Sequence, residues 1–283
     1  MNGIIILNKP KDYTSRDVIN KLNHLLKTKK IGHTGTLDPI ATGVLVICIG
    51  KYTKLCDLLT STYKEYIATI KLGIKTDTLD ITGNIIERQK TPILKEQKIK
   101  DTLNSFIGQS IQTTPIYSAV KVNGKKLYEY ARLGQEVELP KRNIDIKDIE
   151  LISYEKDEIT FKTTVSKGTY IRALIDDICT KLNTIGTMSS LIRTKQGKFD
   201  IRNSNTLEDI ANNNYNLLKI EDVLDDIRII NINENLYDKI KNGAIIPKKY
   251  SEDIVCFKYQ NNIVAIYKTY DKDNTKVKPY IML

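Results

Sequence analysis

Residues 32–43 read Gly-His-Thr-Gly-Thr-Leu-Asp-Pro-Ile-Ala-Thr-Gly, and the rest of the chain is organised around this stretch. It holds three glycines, one of the two histidines of the chain and a carboxylate, without apolar periodicity. The flanking patterns predict a helix over residues 15–27 and a buried strand over residues 44–49. A polar, glycine-rich loop held between core elements is a common place for functional side chains.

Asp38 has two interpretations at this point. An Asp-Pro pair is typical of a helix start, because the aspartate accepts backbone N–H bonds and proline needs no donor at the first helical position. The same carboxylate in a glycine-rich loop is also a candidate for acid, base or nucleophilic chemistry. These two residues alone favour the helix cap.

Composition limits the class of protein. The chain has 283 residues, of which 41% are hydrophobic and 28% charged, as in soluble globular proteins. Its apolar runs are too short to span a bilayer, and no basic and apolar leader opens the sequence. We therefore expect a cytoplasmic protein. The four cysteines lack metal-ligand spacing, so we expect no structural zinc or disulfide framework.

The net charge of +10 indicates a polyanionic partner, with nucleic acid favoured over a membrane surface because no basic amphipathic helix is evident. The richness of the chain in isoleucine, lysine and asparagine offers a compositional explanation of the same charge. Charge alone therefore does not establish nucleic-acid binding.

Strand and helix patterns alternate irregularly and include hairpin-like neighbours, which favours an α+β fold with a mixed, largely antiparallel central sheet flanked by helices. Residues 1–226 are predicted to form the larger domain and residues 227–283 a small β-rich module. The predicted strands cover residues 3–7, 44–49, 64–72, 84–87, 144–154, 158–166, 188–193, 254–259, 263–267 and 278–282. The predicted helices cover residues 15–27, 51–59, 95–107, 125–133, 169–182 and 206–211.

Several motifs in one order carry a family resemblance. They are Leu7-Asn8-Lys9-Pro10, residues 32–43, Tyr63-Lys64-Glu65-Tyr66, Thr76-Asp77-Thr78 with Asp80, Tyr117-Ser118-Ala119, residues 124–132 and residues 166–172. In these motifs the chain resembles the TruB family, bacterial pseudouridine synthases that modify uridine 55 in the T-loop of tRNA. The resemblance covers residues 3 to about 220 and implies the pseudouridine synthase fold.

The resemblance also implies the reaction. Uracil is detached from ribose through N1, turned and rejoined through C5, with neither cofactor nor metal. By the resemblance, Asp38 is the essential carboxylate; it either attacks covalently or takes a proton from the ribose. Arg172 is implied as its charged partner. On its own, Arg172 would be a charge on a helix surface.

Further roles follow from the same resemblance. Tyr66 is implied to stack on the extruded base and to handle a proton, and Leu191 to close the other side of the base. His33 is implied to stack on flipped-out bases. Lys9 and Tyr170 match basic and aromatic substrate-contact positions. Without the family, each of these residues has an ordinary structural explanation in the core or in a turn, and Asp77 and Asp80 have no role beyond turn capping.

Residues 121–142 resemble the insertion that clamps RNA in this family. Lys125, Lys126 and Arg132 are interleaved there with Tyr128 and Tyr130, a combination suited to phosphate contact and base stacking. Residues 227–283 resemble the small PUA-like RNA-binding module that follows the catalytic domain. The implied partner is the T-stem-loop of tRNA, with no membrane and no obligate protein partner, and we expect a monomer.

Three other functions stay open. A non-catalytic RNA-binding protein would have no use for a carboxylate framed by Arg172 and Tyr66. A carbohydrate-active enzyme could pair Asp38 with Asp77 or Asp80, but the chain has no tryptophan and the basic insertion would be unexplained. A relative working inside a guide-RNA complex is disfavoured by the short N-terminus and the absence of long extensions.

Overall fold

The computed structural model describes residues 1–60, 62–224 and 226–283. Its strands are β1 (Gly3–Lys9), β2 (Ile31–His33), β3 (Thr42–Ile49), β4 (Lys64–Leu72), β5 (Ile74–Thr76), β6 (Ile85–Arg88), β7 (Gly108–Thr113), β8 (Lys121–Val122), β9 (Lys125–Lys126), β10 (Lys141–Glu155), β11 (Glu158–Val165), β12 (Gly186–Gln196), β13 (Phe199–Asp200), β14 (Arg228–Asn231), β15 (Ile246–Pro247), β16 (Ile254–Tyr259), β17 (Asn262–Tyr270) and β18 (Asp273–Met282).

The α-helices are α1 (Ser15–Leu25), α2 (Cys56–Thr60), α3 (Glu96–Asn104), α4 (Leu127–Arg132), α5 (Ile171–Lys181), α6 (Leu207–Ala211), α7 (Ile220–Val223) and α8 (Glu234–Ile240). Two 3₁₀ segments cover Gly50–Leu55 and Ile201–Asn203. In the part of the chain with described structure, no helix is long and apolar enough to cross a bilayer.

The larger sheet has the order β1-β3-β12-β4-β11-β10-β7, with β2 added to β3 and β13 to β12. Its neighbours pair antiparallel except β3 and β12, which are parallel where Ile192 and Arg193 meet Thr42 and Gly43. The predicted α+β class with a mixed, largely antiparallel sheet is confirmed. The parallel junction also brings the end of the loop at residues 32–43 against the middle of β12.

Strand β4 shows how the sequence pattern produces the site face. Lys64, Tyr66, Ala68, Ile70 and Leu72 are all buried, and the residues between them are half-buried. Because alternate side chains of a strand point to opposite faces, one face of β4 is covered by other elements. The predicted bounds of this strand match the observed ones.

Helices cover the sheet with their apolar stripes. On α5 the buried residues Ile171, Leu174, Ile175 and Ile178 recur at helical spacing and join the core of β4, β11 and β12. Helix α1 opens with a reciprocal capping box between Thr14 and Asp17. Its inner face packs on β1 and β3 at the far end of the sheet.

Local predictions differ from the structure in several places, and three of them show the physical reason. Ile31–His33 forms the short strand β2, because β3 supplies a hydrogen-bonding partner that a local pattern does not reveal. The predicted helix over residues 51–59 is a 3₁₀ segment followed by α2, and Thr53 Oγ1 bonds Gly50 O inside the tighter turn. The predicted connection after β4 contains β5, which pairs with β6.

The C-terminal residues form a second sheet in the order β14-β16-β17-β18-β15, which fits a PUA-like module. The proposed domain boundary after residue 226 falls just before β14. One apolar cluster joins the two sheets, since Cys256, Ile266 and Ile281 pack with Ile4 and Val44. The second sheet is therefore packed directly on the first.

Candidate active site

The loop at residues 32–43 leaves β2, crosses the covered face of β4 and β12, and enters β3. Asp38 O accepts a hydrogen bond from Ala41 N at 3.1 Å, which closes a turn. The chain enters β3 directly after this turn, so Asp38 does not cap a helix. The Asp38 carboxylate is directed to a different partner.

That partner is Arg172, in the first turn of α5. Arg172 Nε lies 3.0 Å from Asp38 Oδ2, and Nη2 donates to Asp38 Oδ1 at 3.2 Å. The guanidinium thus bonds both carboxylate oxygens, and such a bidentate contact is the strongest and most directional form of an arginine–carboxylate ion pair. The Arg172 side chain is 6% exposed and that of Asp38 is 32% exposed, so the aspartate forms the open side of the pair.

Arg172 also ties two other loops to the site. Its Nη1 donates to Thr78 O at 2.8 Å and its Nη2 to Tyr117 O at 2.9 Å. Asp80 Oδ2 lies 3.8 Å from Nη1, and Asp80 Oδ1 accepts from Thr82 N at 3.0 Å. Asp80 therefore contributes a second negative charge beside Arg172. That contact was not predicted from the sequence.

Asp77 has a local structural contact instead. Its carboxylate accepts from the backbone and side-chain nitrogens of Asn84 and braces the turn between β5 and β6. Turn bracing is the default role expected for this residue.

Tyr66 and Leu191 lie on the floor beneath the loop. In the ladder between β4 and β12, Tyr66 is opposite Arg193 and Leu191 is opposite Ala68, so these side chains share one face. Tyr66 and Leu191 are buried in the same apolar cluster as Leu37 and Ile40, the loop residues on either side of Asp38. The structure thus groups Asp38, Arg172, Tyr66 and Leu191; their catalytic roles stay predictions.

Buried polar groups hold the loop from below. The Lys9 ammonium donates to Pro39 O at 3.2 Å, as well as to Pro10 O and Tyr13 O. Ser15 Oγ accepts from Leu37 N at 3.0 Å. Because these anchors lie on β1 and α1, the core fixes the backbone on both sides of Asp38.

Lys9 is fully buried, and burial lowers its pKa to about 8. Its position beneath Pro39 makes it an anchor of the loop. Contact with substrate stays a prediction for this residue. His33 is half-buried, with Nδ1 accepting from Gly35 N at 3.3 Å. Burial and the charges of Arg193 and Arg16 lower the pKa of His33, which keeps its ring neutral near pH 7.

Tyr170 lies next to the site, immediately before α5. Gln112 bonds both its backbone N and O, and the Arg142 guanidinium lies 5.2 Å from its ring centroid. The ring is half-buried. Its predicted contact with substrate is not tested by this geometry.

The insertion at residues 121–142 pairs its cations with its aromatic rings. Lys125 Nζ lies 4.7 Å from the Tyr130 ring centroid, and the guanidinium of Arg132 lies 5.3 Å from that of Tyr128. Lys126 Nζ donates to Tyr128 OH at 3.1 Å. The hairpin of β8 and β9 and the helix α4 therefore present basic groups and rings together.

Two residues of β12 were missed by sequence reasoning. Gln196 Nε2 bonds Thr34 O at 3.2 Å and Leu59 O at 3.1 Å. Arg193 bonds Gly35 O and Val44 O. The available signal was Arg193 directly after Leu191 and Ile192 in a predicted strand, because a charged side chain that a strand buries requires polar partners.

Comparison with known proteins gives consistent matches. Residues 23–171 match the family model described as TruB family pseudouridylate synthase, N-terminal domain. A protein of Caldicellulosiruptor saccharolyticus named tRNA pseudouridine synthase B is 44% identical over 254 residues, covering 90% of this chain and 86% of the relative. A Clostridium tetani protein of the same name is 42% identical and covers 95% and 92%.

A solved Cbf5-Nop10-Gar1 complex contains a chain of the same fold. It superposes with a TM-score of 0.73 at 24% identity, over 99% of this chain and 82% of that one. The Cbf5 chain of an archaeal box H/ACA complex gives a TM-score of 0.72 at 22% identity, over 99% and 84%. At this identity the likeness concerns the fold.

Proposed function

The chain belongs to the TruB family of pseudouridylate synthases, and on that premise we propose that it converts a uridine of tRNA, at position 55 in the T-loop, to pseudouridine. The proposal rests on family membership and on the curated relatives named tRNA pseudouridine synthase B. The isomerisation adds and removes no atoms and transfers no electrons to an outside acceptor, so it consumes no co-reactant, and we propose that it proceeds without a cofactor.

The single observation that carries the proposal is the Asp38–Arg172 pair on an anchored loop. Breaking and remaking the bond at ribose C1′ needs a fixed carboxylate, either as a nucleophile at C1′ or as a base for a ribose proton. Arg172 holds both oxygens of Asp38 in one orientation while the aspartate keeps an open side. Holding a reacting group in this way removes much of the entropic cost of the step.

The floor of the site suits a uracil ring taken out of the RNA stack. Tyr66 and Leu191 provide an aromatic and an aliphatic surface on adjacent strands. A base inside a folded loop has to be extruded before its C1′ and C5 are accessible. We propose that Tyr66 and Leu191 contact the two faces of the extruded base. We also propose that the neutral ring of His33 stacks on neighbouring flipped bases.

The basic insertion and the C-terminal sheet are the proposed RNA-binding surfaces. Cations beside aromatic rings at residues 121–142 fit phosphate contact with base stacking. The proposed enzyme works on free tRNA as a monomer.

The carbohydrate alternative is not supported by the geometry. Hydrolysis of a glycosidic bond uses two carboxylates on opposite sides of the bond. Here the Asp80 side chain is 9% exposed and accepts from Thr82 N, while the Asp77 carboxylate accepts from Asn84. Asp80 is therefore not open to a substrate, and Asp77 is engaged in a turn.

The decisive experiment incubates the purified chain with unmodified tRNA and maps pseudouridine by chemical labelling. We expect label at position 55, and none in a matched tRNA that carries cytidine there. Label at another uridine would overturn the assigned position. Binding of the tRNA without any label would favour a non-catalytic RNA-binding protein.

A further inference from the structure

A fully buried cation lies under the loop at residues 32–43. Arg193 is 1% exposed, with Nε donating to Val44 O at 2.6 Å and Nη2 to Gly35 O at 3.0 Å. Gly35 lies in the first half of the loop, and Val44 directly follows its last residue. One guanidinium therefore bonds the backbone before and after Asp38.

Burying Arg193 in this way lowers the stability of the fold. Across the described ranges, no carboxylate lies within 4.0 Å of the Arg193 guanidinium, and its observed acceptors are carbonyl oxygens. Burying a guanidinium without a carboxylate carries a desolvation cost that a hydrocarbon of similar volume would avoid. Packing alone therefore does not explain an arginine at this position. The separated carbonyls of Gly35 and Val44 do explain it, because bonding both requires a donor with several N–H groups in a fork.

Arg193 also sits where the loop meets the base-binding floor. Its backbone pairs with Gly43 across the parallel junction and with Tyr66 across the antiparallel one, and Leu191 is two residues before it. A Cβ on Gly43 would lie 2.3 Å from Arg193 O, so the two backbones are in close contact. The residue thus links the loop to both faces of the proposed base site.

We infer that Arg193 is a positioning residue for the isomerisation, which sets the loop so that Asp38 meets the ribose of a base held between Tyr66 and Leu191. The inference rests on the proposed function. Arg193 acts through Gly35 and Val44 and does not touch the substrate.

The test compares Arg193→Met, which keeps much of the volume without charge, with Arg193→Lys, which keeps the charge without the fork. In single-turnover reactions on pre-bound tRNA, we expect the rate of Arg193→Met to fall about 100-fold, the effect expected when a reacting group moves by about 1 Å. We expect Arg193→Lys to fall between that variant and the wild type. The Kd for tRNA should stay within about threefold of the wild-type value, because the residue is buried away from the RNA surface.

Leu22→Ala is the matched control. Leu22 is a fully buried residue of α1 in a separate apolar cluster, so this change lowers stability without removing a hydrogen bond to the loop. Its single-turnover rate should equal that of the wild type at a temperature where all variants are folded. A rate loss in Leu22→Ala as large as that in Arg193→Met would show that Arg193 acts only through the overall stability of the fold, and would overturn the inference.

A second measurement tests the position of Arg193 beside the loop without an activity assay. Burial is the largest cause of the lowered pKa of His33, and the charge of Arg193 is the next, followed by that of Arg16. In an NMR titration, Arg193→Met should raise the pKa of His33, and Arg193→Lys should largely restore the wild-type value.

The outcomes separate the two proposals. An inactive wild type with the expected His33 shift would count against the proposed function and support the placement of Arg193 beside the loop. An active wild type with wild-type rates in Arg193→Lys and in Arg193→Met would overturn the positioning role. If Arg193→Met does not fold, a wild-type rate in Arg193→Lys alone overturns it.

Discussion

At the scale of single residues, Arg172 organises the site. Its guanidinium bonds both oxygens of Asp38 and also the carbonyls of Thr78 and Tyr117. Three segments distant in sequence therefore meet at one side chain. Because arginine offers five N–H donors in a rigid fork, no other side chain can satisfy this set at once.

We expect Arg172→Ala to reduce single-turnover pseudouridine formation at least 100-fold, a loss on the order of that caused by removing one preorganised charged donor. The variant should also lose on the order of 2 kcal/mol of stability, because the carbonyls of half-buried Thr78 and Tyr117 lose a charged donor. Arg172→Lys keeps the charge but cannot bond Asp38 through two nitrogens, so it should recover only part of the rate. Near-normal turnover in Arg172→Ala would show that this pair does not serve catalysis.

Sequence motifs identified some of the site residues and missed others. Asp38, Tyr66 and Arg172 belong to motifs that a family resemblance carries over, and the structure groups them around one loop. Arg193 and Gln196 act through the backbone of residues more than a hundred positions away. Local patterns contain no information about such partners, so these two anchors became visible only in three dimensions.

At the scale of elements, the junction of β3 and β12 fixes the loop. Gly43 has φ 102°, a region that favours glycine, and a Cβ there would lie 2.3 Å from Arg193 O. The parallel pairing of these two strands thus depends on the missing side chain.

We expect Gly43→Ala to lower the free energy of unfolding by about 3 kcal/mol, from backbone strain and a clash with a neighbouring backbone that cannot move freely. Gly124→Ala is the control, since Gly124 has φ 81° with no atom within 4 Å of the added Cβ. That variant should lose about 1 kcal/mol from strain alone. Equal losses in urea denaturation would remove the argument for close contact at this junction.

Elements with a strong internal pattern were predictable and those defined by a partner were not. Strand β4 was predicted with its observed bounds because alternation over nine residues is specific. Strand β2 has three residues, and its pairing with β3 defines it. The long β12 was predicted only over residues 188–193, since its polar end at Lys195 and Gln196 does not look like a strand.

At the scale of the whole molecule, the net charge fits a large polyanionic partner. The net charge is +10, and the insertion at residues 121–142 groups cations with aromatic rings. Because tRNA carries a phosphate at every nucleotide, the proposed binding to these cations would release counterions and depend on salt.

We expect Lys125→Glu with Lys126→Glu to weaken tRNA binding. The slope of log K against log salt should become shallower by about one for each phosphate that the variant no longer binds. Lys95→Glu with Lys98→Glu, at exposed positions at the start of α3 outside the insertion, makes the same change in net charge and is the matched control, which should change the slope less. An unchanged slope in the double variant would move the RNA-binding surface away from the insertion.

Asp38 is the residue that we propose performs the isomerisation, and a single-turnover assay of Asp38→Asn is the sharpest test of that role. Wild type and variant are each saturated with unmodified tRNA, and pseudouridine at position 55 is measured over time, with the Kd measured in parallel. The amide keeps the shape of the side chain but can act neither as a nucleophilic carboxylate nor as a base. We predict no pseudouridine from the variant and a Kd within about threefold of the wild-type value; measurable turnover by purified Asp38→Asn would contradict the account.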